Sequence, residues 1–233
     1  MVAFNHVISH VIFDFDGLLV DTEPSYTLAN QVMLNRFGRE FTMDIKAKMM
    51  GRKNMEAIAW LLNEVSIADQ ITPEEYAIDY EAMLEEMFQK CTDLPGAERL
   101  VRHLAKNEIP MAICTGSCSR TFALKAMNHR QWIDLIPLQV YSGDDENIKR
   151  GKPYPDAFLE TMRRFPIPPV DPSHVLVFED APNGVRAALA AGMKCVMVPD
   201  KMFRNDAETL RANKVLDNLE EFKPEEFGLP AFD

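Results

Sequence analysis

The sequence predicts an α/β fold, and three observations carry the prediction. Five short, mainly apolar runs recur along the chain, each of strand length. Helix-like segments separate most of them, which is the mark of parallel βαβ units. Between the first run and the second the chain instead shows helical patterns and no convincing strand. The expectation is a doubly wound, Rossmann-like parallel sheet covered on both faces, with a small all-helical domain inserted after its first strand.

The first run, VIFDF at Val11 to Phe15, ends in a turn at Gly17. Three helical patterns follow in the insertion. Pro24 to Phe37 is stopped by Gly38, and Asn54 is placed to cap Met55 to Val65. TPEE at Thr72 offers a capping box and a first-turn proline for a helix reaching Gln89. LPGA at Leu94 to Ala97 marks the return to the sheet. Helix patterns at Ala97 to Asn107, Ser119 to Asn128, Pro155 to Phe165 and Pro182 to Ala191 then alternate with strands. The strands are IPMAIC at Ile109 to Cys114, IPLQVY at Ile136 to Tyr141, HVLVFE at His174 to Glu179 and CVMVP at Cys195 to Pro199. The proline-rich FPIPPVDP at Phe165 to Pro172 reads as a stiff loop. Residues 1–19 and 93–233 form the expected sheet domain and 20–92 the helical insertion, joined by two connections that could hinge.

At 233 residues and a net charge of −11, with no long block of Lys and Arg, the chain argues against a nucleic-acid footprint or an anionic-membrane patch. A small anionic substrate stays open, provided the positive charge is local. Cys91, Cys114, Cys118 and Cys195 lack zinc-ribbon spacing and are expected as core packing in a reduced, cytoplasmic protein, a monomer or weak dimer. No apolar run approaches the ~20 residues of a membrane span.

In an open parallel sheet, ligands bind beyond the carboxyl ends of the strands, and here those positions are polar. The first strand delivers Asp14 and Asp16, the second is followed by TGS at Thr115 to Ser117, and the fourth ends on Glu179 and Asp180. GKPYPD at Gly151 to Asp156 adds Lys152 ahead of a helix. Carboxylates in contact repel by roughly 4 kcal/mol per pair at an intermediate dielectric, so Asp14, Asp16, Asp21 and Glu23 crowded together need a positive partner. Asp14 and Asp16, two apart in an extended segment, can address one centre, and Asp180 would complete a hard oxygen site of the kind Mg²⁺ prefers. The Thr115 hydroxyl, the amides after it at Gly116 and the Lys152 ammonium can hold the oxygens of a phosphoryl group. The parts for metal-assisted phosphoryl transfer are present, with a carboxylate as the available nucleophile.

In all four motifs, and in their order, the chain resembles the haloacid-dehalogenase-like phosphohydrolase superfamily. The residues are DFDG at Asp14 to Gly17, ICTGS around Thr115, GKPYPD around Lys152, and FEDAPNGVRAALAAGM from Phe178 to Met193. The insertion resembles the superfamily's helical cap. FEDAPNGV, AALAAGM, VMVPD and the tail FGLP look most like the pseudouridine-5′-phosphatase-type members. The resemblance implies that Asp14 attacks phosphorus to form an aspartyl-phosphate, and that Asp16 protonates the leaving oxygen and then deprotonates the hydrolytic water. It implies Mg²⁺ bound by the Asp14 side chain, the Asp16 backbone carbonyl and Asp180, with Glu179 as an auxiliary or outer-shell group. Thr115, Gly116 and Lys152 would hold the transferring phosphoryl group. Tyr154 stands where the third motif commonly has Asp, and Gly116 where relatives often carry Ser or Asn; neither change removes a charged participant.

The expected activity is a Mg²⁺-dependent phosphomonoesterase on a small phosphorylated metabolite, with pseudouridine 5′-phosphate the first choice of substrate by resemblance. The alternatives are another small phosphate ester (of a sugar, glycerol or flavin), or a phosphotransferase of the β-phosphoglucomutase kind. A non-catalytic binding protein on this fold would have no need to keep mutually repelling acids. Asp21 and Glu23 divide between chemistry and organising the hinge. His6 and His10 are read as an ordinary exposed N-terminal segment, and the methionines Met49, Met50, Met83 and Met87 as packing. Arg52 and Lys53 are the insertion's candidates for substrate contact, weighed against a solvated charged face.

Overall fold

A computed structural model of the chain describes residues 8–49, 54–200 and 203–233. The chain divides into two compact units, Thr22–Cys91 and Met1–Asp21 with Thr92–Asp233.

The first unit holds α1 (Glu23–Asn35), α2 (Met43–Met49), α3 (Asn54–Glu64) and α4 (Pro73–Phe88). The capping box forms at α4: Glu75 N donates to Thr72 Oγ1 at 3.2 Å and Thr72 N donates to Glu75 Oε2 at 2.9 Å. α1 packs on α4 through a buried polar cluster, in which Tyr76 Oη donates to Asn30 Oδ1 at 3.0 Å and Asn30 Nδ2 donates to Tyr80 Oη at 3.2 Å. Two details differ from the sequence reading. α3 begins at Asn54 itself instead of after a cap there. α2 was not expected, because its seven residues, MDIKAKM, are too short to display a helical period.

The second unit is a six-stranded sheet of β1 (His10–Phe13), β2 (Met111–Thr115), β3 (Leu138–Tyr141), β4 (Val175–Glu179), β5 (Lys194–Met197) and β6 (Lys214–Val215). The strand order is β3-β2-β1-β4-β5-β6 and every pairing is parallel. β6 escaped the sequence reading because a two-residue KV strand carries no apolar run. Its helices are α5 (Ala97–Lys106), α6 (Ser119–Lys125), α7 (Arg130–Ile133), α8 (Asp156–Arg164), α9 (Pro182–Ala190) and α10 (Arg204–Ala207).

Both faces of the sheet are covered, which is why its strands read as unbroken apolar runs. On one face Ile12, Ala112, Val177 and Cys195, aligned across four strands, pack with Phe158 of α8 and Val185 of α9. On the other, Phe13 stacks on Phe178 at 5.2 Å and Phe178 meets Phe222 edge-on at 4.8 Å, so the C-terminal segment closes that side. His10 is a correction to the sequence reading. The strand starts one residue earlier than expected, which leaves His10 only 5% exposed, bonded to the Ile167 carbonyl at 2.8 Å and edge-on to Phe165. His6 lies outside the described residues.

The segments that leave and re-enter the sheet are tied to each other. Asp21 N donates to Thr92 O at 2.8 Å and Leu94 N to Leu19 O at 3.0 Å. No helix among the described residues is long and apolar enough to cross a membrane.

Candidate active site

The chain runs outward from β1 to β3, then crosses back to lay β4 on the opposite side of β1. Strand order therefore reverses between β1 and β4, where a doubly wound sheet opens a crevice at its carboxyl edge. Asp14 and Asp180 follow these two strands. Asp14 N donates to Phe178 O at 3.0 Å, which extends the ladder one residue past β1 and fixes the aspartate against β4.

Lys152 reaches the same point from the loop before α8. Its Nζ lies 2.5 Å from Asp14 Oδ1, 2.6 Å from Glu179 Oε1 and 3.2 Å from the Cys114 carbonyl. All three ammonium protons thus have an acceptor. Burial works against the charge on Lys152, yet Asp14 and Glu179 beside it hold its pKa well above the usual lysine range. Burial pushes the Asp14 carboxyl up to about 7; Lys152 opposes that rise, while Glu179 and Asp16 add to it.

Glu179 is clamped from both ends. Oε1 takes Lys152, and Oε2 accepts from Asp180 N at 3.0 Å and Ala181 N at 3.1 Å. Gly184, in α9, makes room for it: a Cβ there would sit 1.8 Å from the Glu179 carboxylate. Gly17 plays the same part for Asp180, since its φ is +78° and a Cβ would lie 2.5 Å from Asp180 Oδ2. Both glycines are therefore required by a carboxylate of the site.

Asp14, Glu179 and Asp180 bring carboxylate oxygens within 4.8 Å of one another. With Asp16, four carboxylates face two ammonium groups among the described contacts, those of Lys152 and Lys125, so acids outnumber cations in a largely buried place. An all-oxygen donor set with that excess of acids fits a hard divalent cation. Glu179 already spends its oxygens on Lys152 and two amides, so Asp14 and Asp180 are the carboxylates better placed to ligate directly. The N-cap of α9 is Ala181, so Asp180 stands one residue ahead of that helix's cap.

Asp16 belongs to a second cluster. Its Oδ1 lies 2.5 Å from Lys125 Nζ, and its Oδ2 accepts from Ser117 Oγ at 2.9 Å and Thr115 Oγ1 at 3.1 Å. Lys125 Nζ also donates to Ser117 Oγ at 2.8 Å, and Ser117 N donates to Thr115 Oγ1 at 3.0 Å. Thr115 is fully buried and its hydroxyl is turned to Asp16, whereas Gly116 is exposed in the loop beyond β2. Ser117 was named from sequence only as the end of the TGS segment, with no role of its own, and Lys125 was not singled out. A signal for Lys125 existed: it stands three residues after Phe122, so both share the inner face of α6. Phe122 packs on Phe15 at 4.5 Å and on Tyr141 at 4.9 Å, and that contact carries the lysine inward.

The remaining candidates divide. Glu23 forms an ion pair with Lys46 at 2.8 Å within the helical unit, and Asp21 lends its amide to the paired connections. Arg52 and Lys53 lie outside the described residues. Cys91, Cys114 and Cys195 are buried as expected, while Cys118 is only half-buried beside Thr121; all four are free thiols. Chemically, the site offers a carboxylate fixed at the strand end, a neighbouring place for a cation, a buried ammonium and a second carboxylate held by three donors.

The chain is similar to known proteins in sequence and in fold. The family model described as haloacid dehalogenase-like hydrolase matches residues 11–198. The (DL)-glycerol-3-phosphatase 1, mitochondrial, of Arabidopsis thaliana is 48% identical over 225 residues, which span 97% of this chain and 75% of the relative. A protein of Drosophila melanogaster described as "Probable pseudouridine-5'-phosphatase" is 41% identical over 225 residues, 97% of this chain and 96% of its own length. Among solved structures, a HAD hydrolase of family IA, variant 3, from Entamoeba histolytica superposes with a TM-score of 0.78 at 26% identity, covering 95% of this chain and 98% of that one. The chain belongs to the haloacid dehalogenase-like hydrolases.

Proposed function

We propose that this chain, a phosphatase of small phosphate monoesters, works through a phosphoryl group carried on Asp14. The observation that carries the reading is Lys152 held between Asp14 and Glu179 at the end of β1, beside Asp180. In the first step an Asp14 oxygen attacks phosphorus in line, the bond from phosphorus to the ester oxygen breaks, and Asp16 gives that oxygen a proton. In the second step water attacks the phosphorus, Asp16 takes its proton, and the bond to Asp14 breaks to release inorganic phosphate. Lys152 offsets charge on the transferring group and keeps Asp14 oriented. Glu179 holds Lys152. Mg²⁺ is the cation proposed for the Asp14 and Asp180 carboxylates and the Asp16 carbonyl, and when bound it supplies charge stabilisation for the phosphoryl oxygens.

The helical unit is assigned the part of a cap domain. Four free cysteines suit a reducing compartment, so a cytoplasmic place of action belongs to the same reading. Pseudouridine 5′-phosphate and glycerol 3-phosphate head the substrates to be compared. The first follows from the motif resemblance and the second from the higher identity to a named glycerol-3-phosphatase. The test is kcat/KM over nucleotide, sugar, glycerol and flavin phosphates with Mg²⁺. Release of phosphate without an isomerised ester is expected; isomerisation without release, or no turnover of any ester, would overturn the reading.

A further inference from the structure

Asp16 has to reach the leaving oxygen in one step and a water in the next, so the direction its carboxylate faces matters as much as its presence. Four side-chain contacts made by three residues set that direction. Lys125 and Ser117 close a ring with both Asp16 oxygens, and Thr115 adds a second donor to Oδ2. The lysine side chain in this ring is completely buried, whereas the Asp16 side chain keeps 22% of its surface exposed.

A lysine that served only to fill the interior would be a poor choice. Removing an ammonium from water costs several kcal/mol, and an apolar residue of similar size is commonly as good or better in a core. The ion pair described for Lys125 is with Asp16, whereas Lys152 pairs with Asp14 and Glu179. We propose that Lys125 is a positioning residue, which with Ser117 aims the Asp16 carboxylate for proton transfer to the leaving oxygen. The proposal rests on the function assigned above, in which Asp16 is the acid.

Leaving groups provide the test. An alkyl alcohol leaves poorly unless it is protonated, whereas an acidic phenol leaves without help, so loss of an aimed acid is felt by the first ester and little by the second. Two esters that the wild-type enzyme hydrolyses, one alkyl and one of an acidic phenol, are compared by kcat/KM, which reports the first irreversible step. For Lys125→Met the expectation is a loss of about 10²-fold on the alkyl ester and only a few-fold on the aryl ester, with KM little changed. Lys125→Arg, which keeps the charge and can still reach a carboxylate, should recover part of the alkyl rate. Equal losses on both esters with a raised KM would make Lys125 a phosphate-binding group and overturn the proposal; no loss on either would overturn it as well. Should Lys125→Met fail to fold, Ser117→Ala carries the test, with the same alkyl-selective loss expected and a uniform or absent loss contradicting it. Asp16→Asn, run in parallel, separates two kinds of failure. If it shows the alkyl-selective loss and Lys125→Met does not, the proposal alone is overturned; if Asp16→Asn shows none, the assignment of Asp16 as the acid is overturned with it.

Discussion

Lys152, with 14% of its side chain exposed, and Lys125, completely buried, each pair with an aspartate of the DFDG turn, yet their surroundings differ. Lys152 meets Asp14 and Glu179, with Asp180 close by, so its side of the site is left with surplus negative charge. Lys125 meets Asp16 and the Ser117 hydroxyl, and the Ser117 and Thr115 hydroxyls donate to Asp16, so the described contacts on its side set one carboxylate against one ammonium. The difference assigns the two halves separate work. The surplus is where a divalent cation gains most by binding, and the balanced half can hold a proton donor without competing for that cation.

The largest expected effect is on chemistry. Asp14→Asn should fold but lose turnover, because the amide cannot take the phosphoryl group; substantial remaining activity would remove Asp14 from the role of nucleophile. Lys152→Met comes next and acts first on stability. It leaves Asp14 and Glu179 buried beside each other without their cation, a loss of about 3–5 kcal/mol by denaturant titration. Lys125→Met should cost less, since Asp16 is partly exposed and keeps Thr115 and Ser117. An equal cost for the two lysines would erase the distinction between the halves.

Gly184→Ala tests the Lys152 side without touching a charge. A methyl group forced against the Glu179 carboxylate should destabilise the protein by about 1–3 kcal/mol and weaken the Mg²⁺-induced rise in melting temperature. The smallest effect is a pH dependence. Asp14 in the folded, metal-free protein has its pKa pushed up to about 7 from the ordinary carboxylate range, so over that interval the native state holds a proton that the unfolded chain has lost. Metal-free stability should therefore fall as pH rises through this window and level off above it. The melting-temperature gain on adding Mg²⁺ should accordingly be larger at pH 8 than at pH 5. A metal-free protein whose stability rose from pH 5 to pH 7 would contradict the dominance of burial over Lys152 at Asp14.

Much of this was legible in the sequence, for physical reasons that also explain what was not. The central strands are buried on both faces, so they appear as apolar runs, and the acids at their ends stand out by contrast. Lys152 could be found because it lies in a short polar segment directly ahead of a helix. Lys125 could not be found in the same way. It sits at the end of α6, where a lysine ordinarily faces water, and only the depth of Phe122 beneath it turns it toward Asp16. His10 was misplaced for a similar reason: a histidine before an apolar run reads as exposed until Phe165 and the Ile167 carbonyl are known to cover it. The second partners of Glu179 are backbone amides of Asp180 and Ala181, which leave no trace in residue type.

The division of labour at the DFDG turn meets its most direct test in the covalent intermediate. Asp16→Asn should form the phosphoryl-enzyme from an activated aryl ester, which leaves unaided, and should be slow to hydrolyse it for want of a base. The protein is mixed with substrate and Mg²⁺, quenched in acid and mapped by mass spectrometry. A phosphoryl group on the peptide holding Asp14, absent when Asp14 is also changed to Asn, is the expected result. No phosphoryl-enzyme at any time point, or one that survives the loss of Asp14, would contradict the account.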